Sequence, residues 1–178
     1  LGVMKMEKKS MKKISKKQLE KILAEHMLWR KGIGGAKANL FGTDLSGTDL
    51  SGIDLSGVDL FGSNLSGANL CHAQLKSANL CDANLSGANL SGADLLGANF
   101  KATLLCYANL SDADLKNADL SFANLSGANL KNADLSDARM FYANLRRTNL
   151  SGANLTYADM SNSDLTDAVL LGTCLVGT

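Results

Sequence analysis

Chemistry in this 178-residue chain would have to come from two histidines, four cysteines and seventeen carboxylates. His26 and His72 lie far apart, and neither falls in a recognisable arrangement with a nucleophile or with further metal ligands. Cys71, Cys81, Cys106 and Cys174 have no C-x-x-C spacing. That argues against a zinc site and a disulfide framework and favours a reducing, cytoplasmic setting. N-L-S triplets such as Asn84-Leu85-Ser86 match glycosylation sequons only because a longer pattern generates them. D-L-S-G-x-D runs lack the spacing of a calcium loop. The expectation is a non-enzyme with no catalytic residue, cofactor or metal.

What organises these side chains is a stride of five. From Leu40 to Leu175 there are 28 such positions; 25 are Leu, and Phe100, Met140 and Met160 fill the others. Two residues earlier stands a small residue, usually Ala as at Ala68, Ala88 and Ala128, with Asn or Asp between, as at Asn69, Asn89 and Asp119. In an α-helix, leucines five apart step around the axis by about 140° and leave no apolar stripe. In a flat strand they alternate faces. The backbone therefore has to change direction once per A-[N/D]-L-x-x unit, with Leu and the small residue inward and three residues outward. A chain that turns so regularly is a solenoid. Gly is frequent at the second outward position, where tight turns tolerate it best. Thr43, Thr48, Ile53, Val58 and Ser63 stand where Ala is usual, which predicts a locally wider rod or differently turned corners there.

This pattern resembles the pentapeptide-repeat family, over residues 38–177 as 28 contiguous units. The resemblance implies that four units make one square coil of a right-handed quadrilateral β-helix, an all-β solenoid of about seven coils. At about 4.8 Å per stacked coil the rod is about 34 Å long. Its core is narrow and filled, mostly by Leu and Ala, and offers no deep pocket.

The segment before the rod reads differently. Residues 1–14 are expected to be a flexible basic tail, part of it an expression remnant, with Met4, Met6 and Met11 as alternative starts. Ser15 and Gln18 form a capping box, and Ile14 and Leu19 fit a hydrophobic staple. They open a helix predicted over 16–31, with Gly32 at the C′ position. Leu19, Ile22, Leu23, His26 and Met27 share one face of it, and Trp29 is placed to help cover the end of the rod. A solenoid otherwise leaves the apolar end and unpaired backbone of its first coil open to water, so residues 15–37 are expected to cap the rod at 38–178. Residues 1–37 hold 11 Lys and Arg against three Glu, whereas 38–178 hold 7 against 14 Asp: a basic head on an acidic rod. No run approaches the roughly eighteen apolar residues of a membrane span, and no signal-peptide pattern opens the chain, so a soluble protein is expected.

With four units per coil, residues twenty apart stack. Asp94, Asp114 and Asp134 then form a column with Lys116 beside it, Arg139 sits between Asp119 and Asp159, Phe122 stacks on Tyr142 with Phe141 adjacent, and Phe41 stacks on Phe61. Carboxylates diverging on a convex rod suit solvent better than a metal. Large exposed rings mark a binding patch. The candidate interaction surface is therefore Phe122, Phe141 and Tyr142, with Asp94, Asp114 and Asp134. In the last coil Val169, Leu171, Cys174 and Val176 make an apolar end, a candidate for tail-to-tail homodimerisation.

The functional expectation is a non-catalytic scaffold that binds an unidentified protein partner through its outer faces. The resemblance supplies an alternative, since some family members are similar to duplex DNA in shape and charge, bind DNA gyrase, and protect it from quinolones or inhibit it. Seven net negatives over 38–178 amount to about one per 5 Å, against about one per 1.7 Å in duplex DNA, so the mimicry is thin. No direct nucleic-acid binding by the rod is expected.

Overall fold

Leucines recurring every five residues are buried because the chain turns a corner every five residues. The computed structural model, which describes residues 11–178, gives the geometry of that corner. The N–H after each turn donates to the carbonyl of the Leu three residues back, as from Ala73 to Leu70 at 3.0 Å. The third residue of each turn has positive φ while the second does not, which defines a type II turn. Between corners the sides are too short for long strands. Each pairs with the neighbouring coils through one residue, always in parallel and twenty residues apart, from Asn39 with Asp59 to Asn154 with Cys174. Twenty residues per coil and five per side give a four-sided parallel β-helix. The backbone is bonded in both directions: Leu110 N–H donates to Asn129 C=O at 2.7 Å, and Asn129 N–H returns to Ala108 C=O at 2.9 Å.

Inside, the Leu column from Leu40 to Leu155, with Phe100 and Met140, is buried against the small residues. Most hydroxylated residues that replace Ala here find a carbonyl to donate to, whereas Ser163 Oγ near the C-terminal end is buried without a partner among the described residues. Thr43 and Ser63 donate to the carbonyls of Leu40 and Leu60 at 2.6 and 2.7 Å, and Thr103 donates to the Leu80 carbonyl of the coil below at 2.7 Å.

Ahead of the rod come a short strand β1 (Lys12–Lys13), the helix α1 (Lys16–Arg30), and β2 (Thr43–Asp44) in the first coil. The capping box forms, with Gln18 N–H donating to Ser15 Oγ at 3.2 Å and Ser15 N–H to Gln18 Oε1 at 2.8 Å. Leu19 and His26 are buried, and Ile14, Ile22 and Leu23 pack against the core, so one stripe of α1 covers the open end of the first coil. Met27 does not share that stripe and is exposed. The linker returning from the helix packs on a different face, with Gly35 so close to Glu25 and Leu28 that a Cβ would fall 2.1 Å from the Glu25 carbonyl oxygen. Trp29 is likewise partly exposed, its ring stacked on His26 at 5.5 Å.

Of the expected flexible tail, residues 1–10 lie outside the described residues. Its end is ordered by pairing: β1 runs parallel to β2, Lys12 opposite Thr43, and adds a strand below one side of the first coil. The edge there has a free carbonyl at Gly42, which accepts from Lys12 N–H at 3.0 Å.

Candidate interaction surface

Of the three outward residues in each unit, the Asn or Asp is the least free. Its Oδ1 accepts the backbone N–H two residues on, bridging side and corner, as Asp119 does for Ser121 at 3.0 Å. Where Asn is stacked on Asn, the Nδ2 in most cases also donates to the Oδ1 of the coil below. On one side this ladder is unbroken from Asn149 through Asn129, Asn109, Asn89 and Asn69 to Asp49. Asp suits the bottom rung, which needs only to accept.

An Asp higher in a column has no amide to donate, so stacked carboxylates need a cation. Asp94, Asp114 and Asp134 stack as expected, with Lys76 Nζ 3.1 Å from Asp94 and Lys116 Nζ 3.1 Å from Asp134 and 3.9 Å from Asp114. Burial opposes ionisation of Asp134, but the Ser136 hydroxyl and amide together with Lys116 outweigh it and hold the carboxyl below its ordinary value. Arg139 takes the corresponding role between Asp119, 3.9 Å away, and Asp159. Among the described residues no cluster of His, Cys, Asp or Glu is arranged to hold a metal, and all four cysteines are free.

The rings behave differently. Phe122 and Tyr142 stack in parallel with centroids 5.5 Å apart, and Phe141 meets both edge-on at 5.0 and 6.0 Å. Lys101 lies 6.0 Å from the Phe122 ring and Arg139 5.7 Å from that of Phe141, so cations flank the cluster. Phe122 and Tyr142 are exposed. Both occupy the third turn position, with φ of 61° and 57°. A left-handed backbone costs a bulky L-residue about 1–2 kcal/mol, a cost that Gly at Gly62 avoids at the same corner. Phe41 and Phe61 also stack, at 5.5 Å, nearer the cap.

The sequence reading missed a neighbouring feature. Tyr107, Arg146 and Arg147 rim a shallow groove of about 560 Å³ with Ser126, Gly127 and Asn144. It lies along the far edge of the side that begins at Phe122 and Tyr142, and exposed Leu104 interrupts the Asn column of that side. The signal was present as Leu104 in an Asn/Asp position and Tyr107 in a Gly position. At the C-terminal end Val169, Leu171, Leu175 and Val176 are exposed, and Cys174 bonds Thr156 through sulfur at 3.3 Å.

The geometry defines a class: four-sided parallel β-helices built from five-residue units. The chain belongs to the pentapeptide-repeat family, whose model matches residues 38–75, 72–105, 108–141 and 143–178. No curated protein sequence matches it. Among solved structures it is similar to HetL, a pentapeptide repeat protein involved in heterocyst differentiation regulation from the cyanobacterium Nostoc sp. strain PCC 7120. Identity is 33%, covering 80% of this chain and 76% of that one, with a TM-score of 0.45. A pentapeptide repeat protein of the Arabidopsis thaliana thylakoid lumen is 38% identical over 62% of this chain and 67% of its own, with a TM-score of 0.37. A trypsin-treated form of QnrB1, a plasmid-mediated fluoroquinolone resistance protein, is 26% identical over 77% and 79%, with a TM-score of 0.46.

Proposed function

We propose that this chain is a non-catalytic scaffold, a right-handed quadrilateral β-helix that binds another protein at the corner carrying Phe122, Phe141 and Tyr142. The observation that carries the reading is the placing of exposed rings at left-handed turn positions where Gly is unstrained. Core packing does not require them there, since the Leu and Ala beneath are already buried. Stacked rings flanked by Lys101 and Arg139 provide the rigid aromatic and cationic anchors that dominate protein interfaces. The test is affinity capture with Phe122, Phe141 and Tyr142 replaced together by Ser, beside a control with Lys131→Ser on another side. A partner retained by the control and lost by the triple variant supports the reading; equal capture by both contradicts it.

The second reading is a DNA mimic that binds gyrase, favoured by the acidic balance of 38–178. Against it, Lys76, Lys116, Arg139, Arg146 and Arg147 each pair with aspartates of the rod and break its negative columns. A supercoiling assay with purified gyrase, with and without a quinolone, separates the readings, and an unchanged assay at micromolar protein removes mimicry. A cytoplasmic setting fits four free cysteines, and no helix among the described residues is long and apolar enough to cross a membrane. Exposed Val169, Leu171 and Val176 support tail-to-tail pairing of two copies.

A further inference from the structure

We propose that the junction between α1 and the first coil is a pH-sensitive latch with His26 as its trigger. His26 is fully buried at that junction. Its Nδ1 accepts a hydrogen bond from the Ala38 N–H at 3.1 Å, which fixes the neutral imidazole with its proton on Nε2. Nε2 is buried as well and has no partner among the described residues, none of which offers an acceptor to stabilise a cation.

Three charged groups face the ring: Arg30 on α1, Lys37 in the linker and Asp54 on the first coil. Burial pushes the imidazole below its ordinary value; Asp54 opposes that shift, and Arg30 and Lys37 add to it. Asp54 is already engaged by Arg30 Nε at 3.0 Å. Lys37 Nζ lies 5.9 Å from the ring of Trp29, which itself stacks on His26.

Protonation places a hydrogen on Nδ1, where it meets the Ala38 N–H donor to donor, and adds a third positive charge beside Arg30 and Lys37. The bond lost is one that ties α1 to the start of the rod. The others are Ala36 N–H to Glu25 C=O at 3.3 Å, a long one, and the partly exposed pair of Arg30 with Asp54. The detached helix binds the proton more tightly than the docked one. Docking is therefore complete above about pH 6.5, the value of an unperturbed imidazole, and weakens as the pH falls below it. Release uncovers the open end of the first coil, with Leu40, Leu45, Leu50 and Leu55, and leaves the remaining coils intact.

Amide hydrogen exchange on the whole chain between pH 7.5 and 5, corrected for intrinsic rate, tests this. Protection of residues 16–38 should fall by up to about tenfold per pH unit below about 6.5, while residues 60–155 stay protected. His26→Gln, whose amide oxygen accepts from Ala38 without titrating, should keep its protection at pH 5. If Gln does not hold the helix at any pH, Lys37→Met decides, since removing a facing cation should preserve more protection at pH 5 than in the unsubstituted chain. Protection of 16–38 that is flat with pH overturns the latch. So does a wild-type-like decline in His26→Gln, or no gain in Lys37→Met.

Discussion

The ring of Tyr107 lies against Gly127, one coil on along the same corner, so closely that a Cβ on Gly127 would fall 2.6 Å from its Cε1. His72 stands in the same relation to Gly92, and Tyr157 to Gly177. A side chain at the third turn position reaches along the rod over the next coil, and lies flat only where that coil offers glycine. Gly67→Ala, with φ of 64° and no neighbour within 4 Å, should cost about 1–2 kcal/mol through the backbone alone. Gly127→Ala should cost more, because Tyr107 has to swing out. In a Tyr107→Ala background the two costs should become equal, which a double-mutant cycle of denaturation midpoints measures.

Leu110 and Asn109 separate the core from the side-chain ladder. Leu110→Ala removes a fully buried side chain from a filled column and should cost about 2–5 kcal/mol. Asn109→Ala removes a donation to Asn89 at 3.1 Å and acceptances from Asn129 at 3.0 Å and Ser111 N–H at 3.3 Å. All three are only part-buried, so about 1–2 kcal/mol is expected. Denaturant midpoints should rank the two in that order, and an unmoved midpoint for Leu110→Ala contradicts the inward assignment.

Lys116 is the counter-charge of two stacked aspartates, and its own pKa is raised by its hydrogen bond to Asp134 and by the nearby Asp114. A depressed carboxyl contributes stability above its unfolded value, near pH 4, and loses that contribution as the pH falls through the folded value. Asp134 should therefore hold its proton off in mildly acid solution, and so should Asp44, Asp49, Asp159 and Asp164, which Ser or Thr hydroxyls two residues on hold down. Lys116→Met should raise the midpoint of Asp134 and leave that of Asp49, on another side, unchanged. Carboxyl titration by NMR reads both.

Leu171, 79% exposed, is the most open of the C-terminal apolar residues. Light scattering at rising concentration should show a mass above the 18.7 kDa of one chain. Leu171→Asp should return it to that value, and a monomer at every concentration removes the tail-to-tail pairing.

The rod was legible because each buried position repeats one physical requirement: Leu90, Leu110 and Leu130 need the same slot, so the stride of five announced the turn and the burial together. The stacking of Phe122 on Tyr142 followed once twenty residues were known to make a coil. The strand pairing of Lys12 with Thr43 left no trace, because two lysines carry no strand pattern and pair only where an edge is free. Met27 was misplaced because helical periodicity names a stripe but not its width: Met27 falls at the edge of the stripe, beyond Leu23, and is left exposed. The groove at Tyr107 was hidden because it joins turns of one corner, at Tyr107, Gly127 and Arg147, that the sequence places in successive coils.

Pairing at intervals of twenty gives the molecule something like a reading frame in space. Excision of any whole coil shortens it by one step of about 4.8 Å and leaves each side facing as before. Excision of a single unit, such as residues 91–95, instead rotates everything downstream by a quarter turn, carrying Phe122 and Tyr142 away from the azimuth of Phe41 and Phe61. Length and bearing are thus set by different deletions, and lineages of such chains can change reach while still pointing the same way.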